Sequence, residues 1–576
     1  MSIESRKVGR RWNINPIKEK ELQILVQKLG ISPIIATLLT NRGISNPEEA
    51  KKFLSCDLND LHSPYLLKDM DKAIKRIKKA VANKEKIMIF GDYDVDGITG
   101  TTIMTKTIEL IGGKTSYYFP NRRTEGYGLN NKAIDCAKRE KIDLIITVDC
   151  GIGAYNEINY AKNNNIDVIV IDHHEQTGPL PKATAIINPK QKRCKYPYKK
   201  LAAVGVTFKV VQALVKEYNI DFDEFSFLDM VCLGTVADIV PLDGENRIIV
   251  KNGLKQLMKT KNIGLRALID VSDLKGKEIG PGHISFRLAP RINAAGRLDS
   301  ADKVMRLFQT DSEDEAKEIA YTLNEQNMHR QTIQQKILEE ALSKIKKEID
   351  MDKETCIILA KKGWHKGVIG IVASKIVEIY HKPTILIAID GDIGYGSGRS
   401  ISKFHLLKAI DSCKKLFVNH GGHSQAVGMK INEENIEKFR KEINKYAKDK
   451  INAKDLIPSL NLDVKLDIGH INLNLIKEIN KLPPFGIGNP RPIFYSINLN
   501  IKDYPRILKE KHIKMELWDK TETIKAIGFD MATLFNEIME NTKQIHIAYF
   551  PELNEWDGNT SIELNLKDMK FGAGLS

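Results

Sequence analysis

The 576-residue chain has no C-x-x-C pair, no long apolar run, no internal repeat and no low-complexity tract. Its seven cysteines (Cys56, Cys136, Cys150, Cys194, Cys232, Cys356 and Cys413) are odd in number and scattered. That argues against a disulfide framework or a thiolate zinc site and fits a reducing compartment. No run approaches the roughly 18 apolar residues of a membrane span. The opening residues, Met1 to Lys7, lack the apolar core of a secretion signal. The expectation is a soluble, cytoplasmic protein with no membrane contact. Cys150 follows Asp149, an acidic setting that reads as a buried structural thiol rather than a nucleophile.

Charge is not scarce. Lys and Arg number 88 against 74 Asp and Glu, for a net +14. Such a balance suits a polyanionic partner, although a Lys-rich solvated surface gives the same sum. The length exceeds what one hydrophobic core sustains, and two to four domains are expected.

Residues 1 to about 85 read as helical, with helical spacing at 19–29 and 71–81. From about 86 to 240, short apolar runs (86–90, 115–119, 143–148, 167–171 and 184–187) alternate with helical stretches, the pattern of a parallel βαβ sheet. Helices at 251–258 and 263–271 follow. The segment 312–349, free of proline and glycine, predicts one long bridging helix or two; its apolar positions sustain no heptad for a coiled coil. A second α/β unit begins with a strand at 355–360, a helix at 369–379 and a strand at 384–388. Short strand-like pieces over 459–566 suit a small barrel of the oligonucleotide-binding kind. The fold class is α/β, with domains at 1–310, 311–350 (the helix), 351–452 and 453–576.

Three of the apolar runs end in chemistry. Lys86-Ile87-Met88-Ile89-Phe90 leads into Gly91-Asp92-Tyr93-Asp94-Val95-Asp96-Gly97, Leu144 to Val148 into Asp149, and Asp167 to Ile171 into Asp172-His173-His174. Val236-Ala237 precede Asp238. Open parallel sheets place ligands at strand carboxyl ends, and hard oxygens with one or two imidazoles suit a pair of Mn²⁺ or Mg²⁺ ions. Asp149 is the candidate bridging ligand, having two oxygens to share. His173 is expected to ligate, with Asp172 orienting it rather than ligating. His174 could ligate, orient a phosphate or donate a proton. Gly97 and Gly100 permit close approach of a phosphate.

This motif series, continued by Gly234-Thr235-Val236-Ala237-Asp238, resembles that of the DHH phosphoesterase superfamily, and within it the RecJ-type single-strand-specific exonucleases. Further shared signatures are Pro120-Asn121-Arg122, Glu125-Gly126-Tyr127-Gly128, Ala289 to Arg297, Trp364 to Gly370, Gly396 to Ser400, Gly421 to Ser424 and Pro484 to Asn489. The resemblance runs from Arg11-Trp12 to about residue 566. It implies a DHH domain, a connecting helix, a DHH-associated (DHHA1) domain and an oligonucleotide-binding barrel. It also implies two-ion, Mn²⁺- or Mg²⁺-dependent 5′-to-3′ hydrolysis of single-stranded DNA in repair and recombination, alongside a helicase and a single-strand binding protein; a multi-domain monomer is the default expectation.

Residue by residue, Asp94, Asp96, Asp149, His173 and Asp238 match the metal ligands, and His174, with Asp149 and Asp96, the catalytic set. Many superfamily members have a histidine four residues before the first ligand aspartate. Here that position is Phe90, which leaves the second ion fewer ligands or help from Asp92. Arg122, Ser397 and Arg399 are suited to gripping a 5′-phosphate, with the glycines around Ser397 letting backbone N–H groups approach. Asn293 and Arg297 are expected along the backbone path, and His423 beside a phosphate or in a polar turn. Tyr127, Phe485 and Phe494 are candidate stacking platforms. The catalytic site is expected in a cleft between the two α/β units. The alternatives are a superfamily phosphodiesterase acting on short oligonucleotides, cyclic dinucleotides or pyrophosphate, and an inactive DNA-binding scaffold.

Overall fold

The structure, a computed structural model, describes residues 10–121, 124–176, 178–298, 301–556 and 559–572. The chain forms two compact units: one holds Lys20–Asn327 and Ile479–Arg491, the other the chain up to Glu19, Met328–Glu478 and Pro492 onward. The first element is a strand, β1 (Arg11–Ile14), in a region whose sequence suggested helices alone.

In the first unit a five-stranded parallel sheet runs β3-β2-β4-β5-β6, with β2 Lys86–Gly91, β3 Lys114–Tyr118, β4 Leu144–Val148, β5 Asp167–Ile171 and β6 Ala185–Ile187. Its inner strands read as continuous apolar runs because helices cover both faces. Ile87 and Ile89 pack with the helices Val95–Leu110 and Ala203–Tyr218, while Met88 and Phe90 pack with Asn131–Arg139 and Tyr155–Asn163. The chain leaves β2 for β3 on one side and crosses back to β4 on the other. The strand order therefore reverses between β2 and β4, where open α/β sheets bind ligands at their carboxyl ends.

In the second unit, the helix Glu313–Glu348, which begins in the first unit, buries Ile337, Ala341 and Ile345 against the next sheet. That sheet runs β10-β11-β9-β8-β7, with β7 Ile357–Lys362, β8 Thr384–Asp390, β9 Ile393–Arg399, β10 Phe417–Gly422 and β11 Ala426–Asn432. β9 occupies the segment whose glycines were expected to open backbone N–H groups to a phosphate. Gly396 and Gly398 are there because a Cβ would sit 2.6 Å from Met429 Cγ and 2.7 Å from Val427 Cγ2. β12 (Ser459–Leu462) pairs in parallel with β1, and Trp12 Nε1 donates to Asp568 at 2.7 Å.

The seven remaining strands run β13-β14-β18-β19-β17-β16-β15, with β13 Val464–Lys465, β14 Phe494–Ile501, β15 Arg506–Leu508, β16 His512–Trp518, β17 Thr523–Gly528, β18 Ile545–Trp556 and β19 Asn559–Phe571. A further β14–β16 pairing curls this sheet toward a barrel. Phe494, expected as a stacking platform, is fully buried beside Tyr549 and serves the core.

Candidate metal centre

Asp94 caps the helix Val95–Leu110, its Oδ1 accepting the Asp96 and Gly97 N–H groups at 3.0 and 3.1 Å. Gly97 is obligatory, because a Cβ would lie 2.4 Å from the Asp92 carbonyl oxygen. Gly100 is required by packing too; a Cβ there would lie 2.6 Å from Val148 Cγ1. Asp96 is buried. Its two oxygens accept the Ala203 and Val204 N–H groups (2.7 and 2.8 Å) at the positive end of the helix Ala203–Tyr218.

Asp149 follows β4 in the left-handed region (φ 65°), and the Tyr127 hydroxyl donates to its carbonyl at 2.9 Å. Asp238 ends the helix Leu228–Ala237 rather than a strand. That helix crosses Asp96 closely at Gly234, where a Cβ would be 3.2 Å from Asp96 Oδ1.

His173 and His174 follow β5. His173 Nε2 lies 3.4 Å from Asp149 Oδ1 and 3.6 Å from Asp238 Oδ2. Its other nitrogen, Nδ1, faces the Leu201 carbonyl at 3.2 Å. Asp172 was expected to orient His173. Instead its carboxylate accepts from His174 Nδ1 (2.8 Å), the His173 and His174 N–H groups (2.7 and 3.0 Å) and the Ile152 N–H (3.0 Å). Asp172 therefore positions His174, and the Leu201 carbonyl orients His173.

Three groups each offer ligand atoms within 4.8 Å of one another: Asp149, His173 and His174; Asp96, His173 and Asp238; and Asp92, Asp94 and Asp149. Asp149 is shared by two of them. Asp92 joins the cluster, as the absence of a histidine at 90 suggested, while Phe90 is buried against Tyr118. Burial, then the neighbouring carboxylates, raises Asp149 far above the ordinary carboxylate range, Asp96 to about 7 and Asp238 to about 9. Burial holds His173 down at about 4. Burial also opposes charge on His174, but the Asp172 carboxylate outweighs it and raises His174 above its usual value. In Asp172 the same ion pair and N–H bonds overcome burial and keep the carboxyl low. Cys150 is fully buried, its thiol pushed far up by burial and then by Asp172.

The donor set fits divalent ions. Asp149 Oδ1 and His173 Nε2 are buried and have no hydrogen-bond partner among the described residues. Orphaned polar atoms at such depth are costly, and hard cations satisfy oxygen and imidazole nitrogen together.

The other expected site residues lie elsewhere. Arg122 and the Arg297 side chain fall outside the described residues. Asn293 is half-buried on the helix Ala289–Leu298, whose Gly296 presses on the Tyr93 carbonyl. In the second unit Arg399 Nη1 donates to Ser397 Oγ at 3.2 Å. β9 lies between β8 and β11, so its backbone N–H groups serve the sheet ladders rather than a phosphate. His423 is exposed in the turn after β10, its Nδ1 accepting from the Gln425 N–H at 3.3 Å.

Comparison with known proteins agrees with this architecture. Residues 86–235 match the DHH family, N-terminal domain; 353–449 match the DHHA1 domain; and 462–568 match the RecJ OB domain. The single-stranded-DNA-specific exonuclease RecJ of Bacillus subtilis is 38% identical over 97% of this chain and 70% of its own length. The chain belongs to the RecJ family. RecJ of Salmonella typhimurium is 32% identical over 94% of this chain and 96% of its own length. The crystal structure of RecJ from Thermus thermophilus in complex with Mn²⁺ superposes with a TM-score of 0.85 at 27% identity, covering 98% of this chain and 80% of that one. The Mg²⁺ complex of the same protein gives 0.79. Among the described residues no helix is long and apolar enough to cross a membrane.

Proposed function

We propose that this RecJ-family chain is a single-stranded-DNA-specific 5′-to-3′ exonuclease that releases mononucleotides, dependent on two Mn²⁺ or Mg²⁺ ions. The observation that carries this is the convergence of Asp92, Asp94, Asp96, Asp149, His173 and Asp238 around two unsatisfied buried ligand atoms. Similarity to exonucleases over nearly the whole chain supports it. Asp149 would be the shared ligand, standing with Asp92 and Asp94 in one group and with His173 and His174 in another, while Asp96 and Asp238 would join His173 in a third. When bound, such ions supply an activated water and neutralise charge on the phosphate under attack.

The remaining work falls to the chain. Asp172 fixes the His174 ring and favours its protonated form, which suits His174 to stabilise developing charge or deliver a proton to the leaving oxygen. Arg122, Ser397 and Arg399 grip the 5′-phosphate, His423 assists them, and Asn293 and Arg297 follow the DNA backbone.

The domains divide at 1–310, 311–350, 351–452 and 453–576. The enzyme works in the cytoplasm as a monomer, with a helicase and a single-strand binding protein as partners.

The test is Mn²⁺-dependent release of nucleotides from a long 5′-phosphorylated single strand, compared with duplex and dinucleotide. Asp149→Asn is expected to abolish release while leaving strand binding in chelator intact. Full activity in that variant would refute the assignment. Preference for the dinucleotide would favour a small-substrate phosphodiesterase.

A further inference from the structure

Asp238 is followed by Ile239, a β-branched residue at φ 62°. Such a residue is strained in the left-handed region and persists only where its surroundings over-determine it. Two sets of contacts hold the loop that follows. On one side the Tyr198 hydroxyl lies 2.7 Å from Asp243 Oδ1, and Asn246 Nδ2 donates to the Pro241 carbonyl at 3.0 Å.

On the other side is a segment far away in sequence. The Leu242 N–H donates to the Ile487 carbonyl at 2.6 Å. Gly486 packs on Leu242, and Gly488, at φ 78°, lies where a Cβ would come within 3.0 Å of Pro241 Cβ and 3.4 Å of Asp243 Oδ2. Asn489, fully buried, presets this segment. Its amide donates to the Leu482 and Pro484 carbonyls, both at 2.9 Å, and its oxygen accepts from Arg42 Nε at 2.7 Å. Arg42 also donates to the Pro490 carbonyl at 2.7 Å. These residues fall within the stretch matched as the RecJ OB domain, yet they pack inside the unit that carries the acidic cluster.

We infer that Pro484–Asn489 is a positioning clip for Asp238, so that ion affinity at the acidic cluster depends on seating a segment from the C-terminal region. The inference rests on the reading of Asp238 as a metal ligand. The clip acts through backbone: the Ile487 side chain is exposed, and its carbonyl makes the contact.

The test is calorimetric titration of Mn²⁺ into the DNA-free, full-length protein, with circular dichroism to verify the fold. Gly488→Ala places a methyl group against Pro241, and Asn489→Ala unpins the clip. Each is expected to weaken Mn²⁺ binding by about 10–100-fold, the usual effect of losing a group that orients a ligand. Ile487→Ala is expected to bind as wild type does. Arg42→Ala, which removes the anchor without adding bulk, carries the test should the first two fail to fold. Wild-type Mn²⁺ affinity in folded Gly488→Ala and Asn489→Ala, or in Arg42→Ala where it stands in for them, would overturn the proposal, as would an equal loss in Ile487→Ala. Binding in wild type that Asp149→Asn does not diminish would instead refute the metal reading itself.

Discussion

Asp172→Asn changes almost no volume and removes one charge, so its effects trace to hydrogen bonding. The buried carboxylate receives four donors, three on Oδ1 and one, the Ile152 N–H, on Oδ2. An amide has one accepting oxygen. If that oxygen stays with His173 and His174, the new NH₂ confronts the Ile152 N–H, donor against donor. The opposite orientation strands three donors.

One stranded buried donor costs about 1–3 kcal/mol, and exchanging a charged acceptor for a neutral one costs about a further 1 kcal/mol. A loss of about 2–4 kcal/mol in urea unfolding follows. Without the carboxylate, the largest influence favouring charge on His174 is gone, so its titration moves to lower pH. Single-turnover cleavage is expected to fall about 10–100-fold, with the inflection of the pH–rate profile displaced downward. A variant of wild-type stability with an unmoved inflection would show that Asp172 does not govern His174.

Three further outcomes are expected. Because Asp96 and Asp238 keep their protons to about 7 and 9 when folded, against about 3.8 for a free aspartate, the folded chain binds more protons than the unfolded chain across that window. Stability of the metal-free protein therefore falls as pH rises from 5 to 9; Mn²⁺ at 100 times its Kd adds about 2.7 kcal/mol, and a melting temperature indifferent to both would refute the electrostatic reading. Arg399→Ala is expected to slow digestion of 5′-phosphorylated strands more than 5′-hydroxyl strands, and equal slowing would count against a phosphate grip. Lys209→Met leaves buried Glu245, 2.8 Å from the lost ammonium, to the Tyr196 hydroxyl and the His62 N–H; a cost of about 3–5 kcal/mol is expected, and a change under about 1 kcal/mol would refute a stabilising role for the pair.

Strands with both faces covered announce themselves, and so β2, β4 and β5, with the acids and imidazoles after them, were legible from residue order alone. β9 was not, because its alternate glycines, required by Met429 and Val427, look like a turn when those neighbours are unknown. β1 hides for a related reason: of Arg11–Ile14 only Trp12 is buried, and its partners lie beyond residue 458. Within the candidate metal centre the residues that converge were readable, but not their supports. A backbone carbonyl such as that of Leu201 leaves no trace in residue identity, and Asp172 could equally have served either histidine. The role of Pro484–Asn489 was invisible because it depends on Pro241, Leu242 and Asp243, half a chain away.

The parallel pairing of β1 with β12 sets an order of events during synthesis. Ribosomes deliver the amino end first, so the Trp12 indole emerges long before Asp568, its hydrogen-bond acceptor, exists. Every nascent molecule thus carries an unmatched aromatic strand until Asp568 has been made, and closing that seam joins residues 556 positions apart.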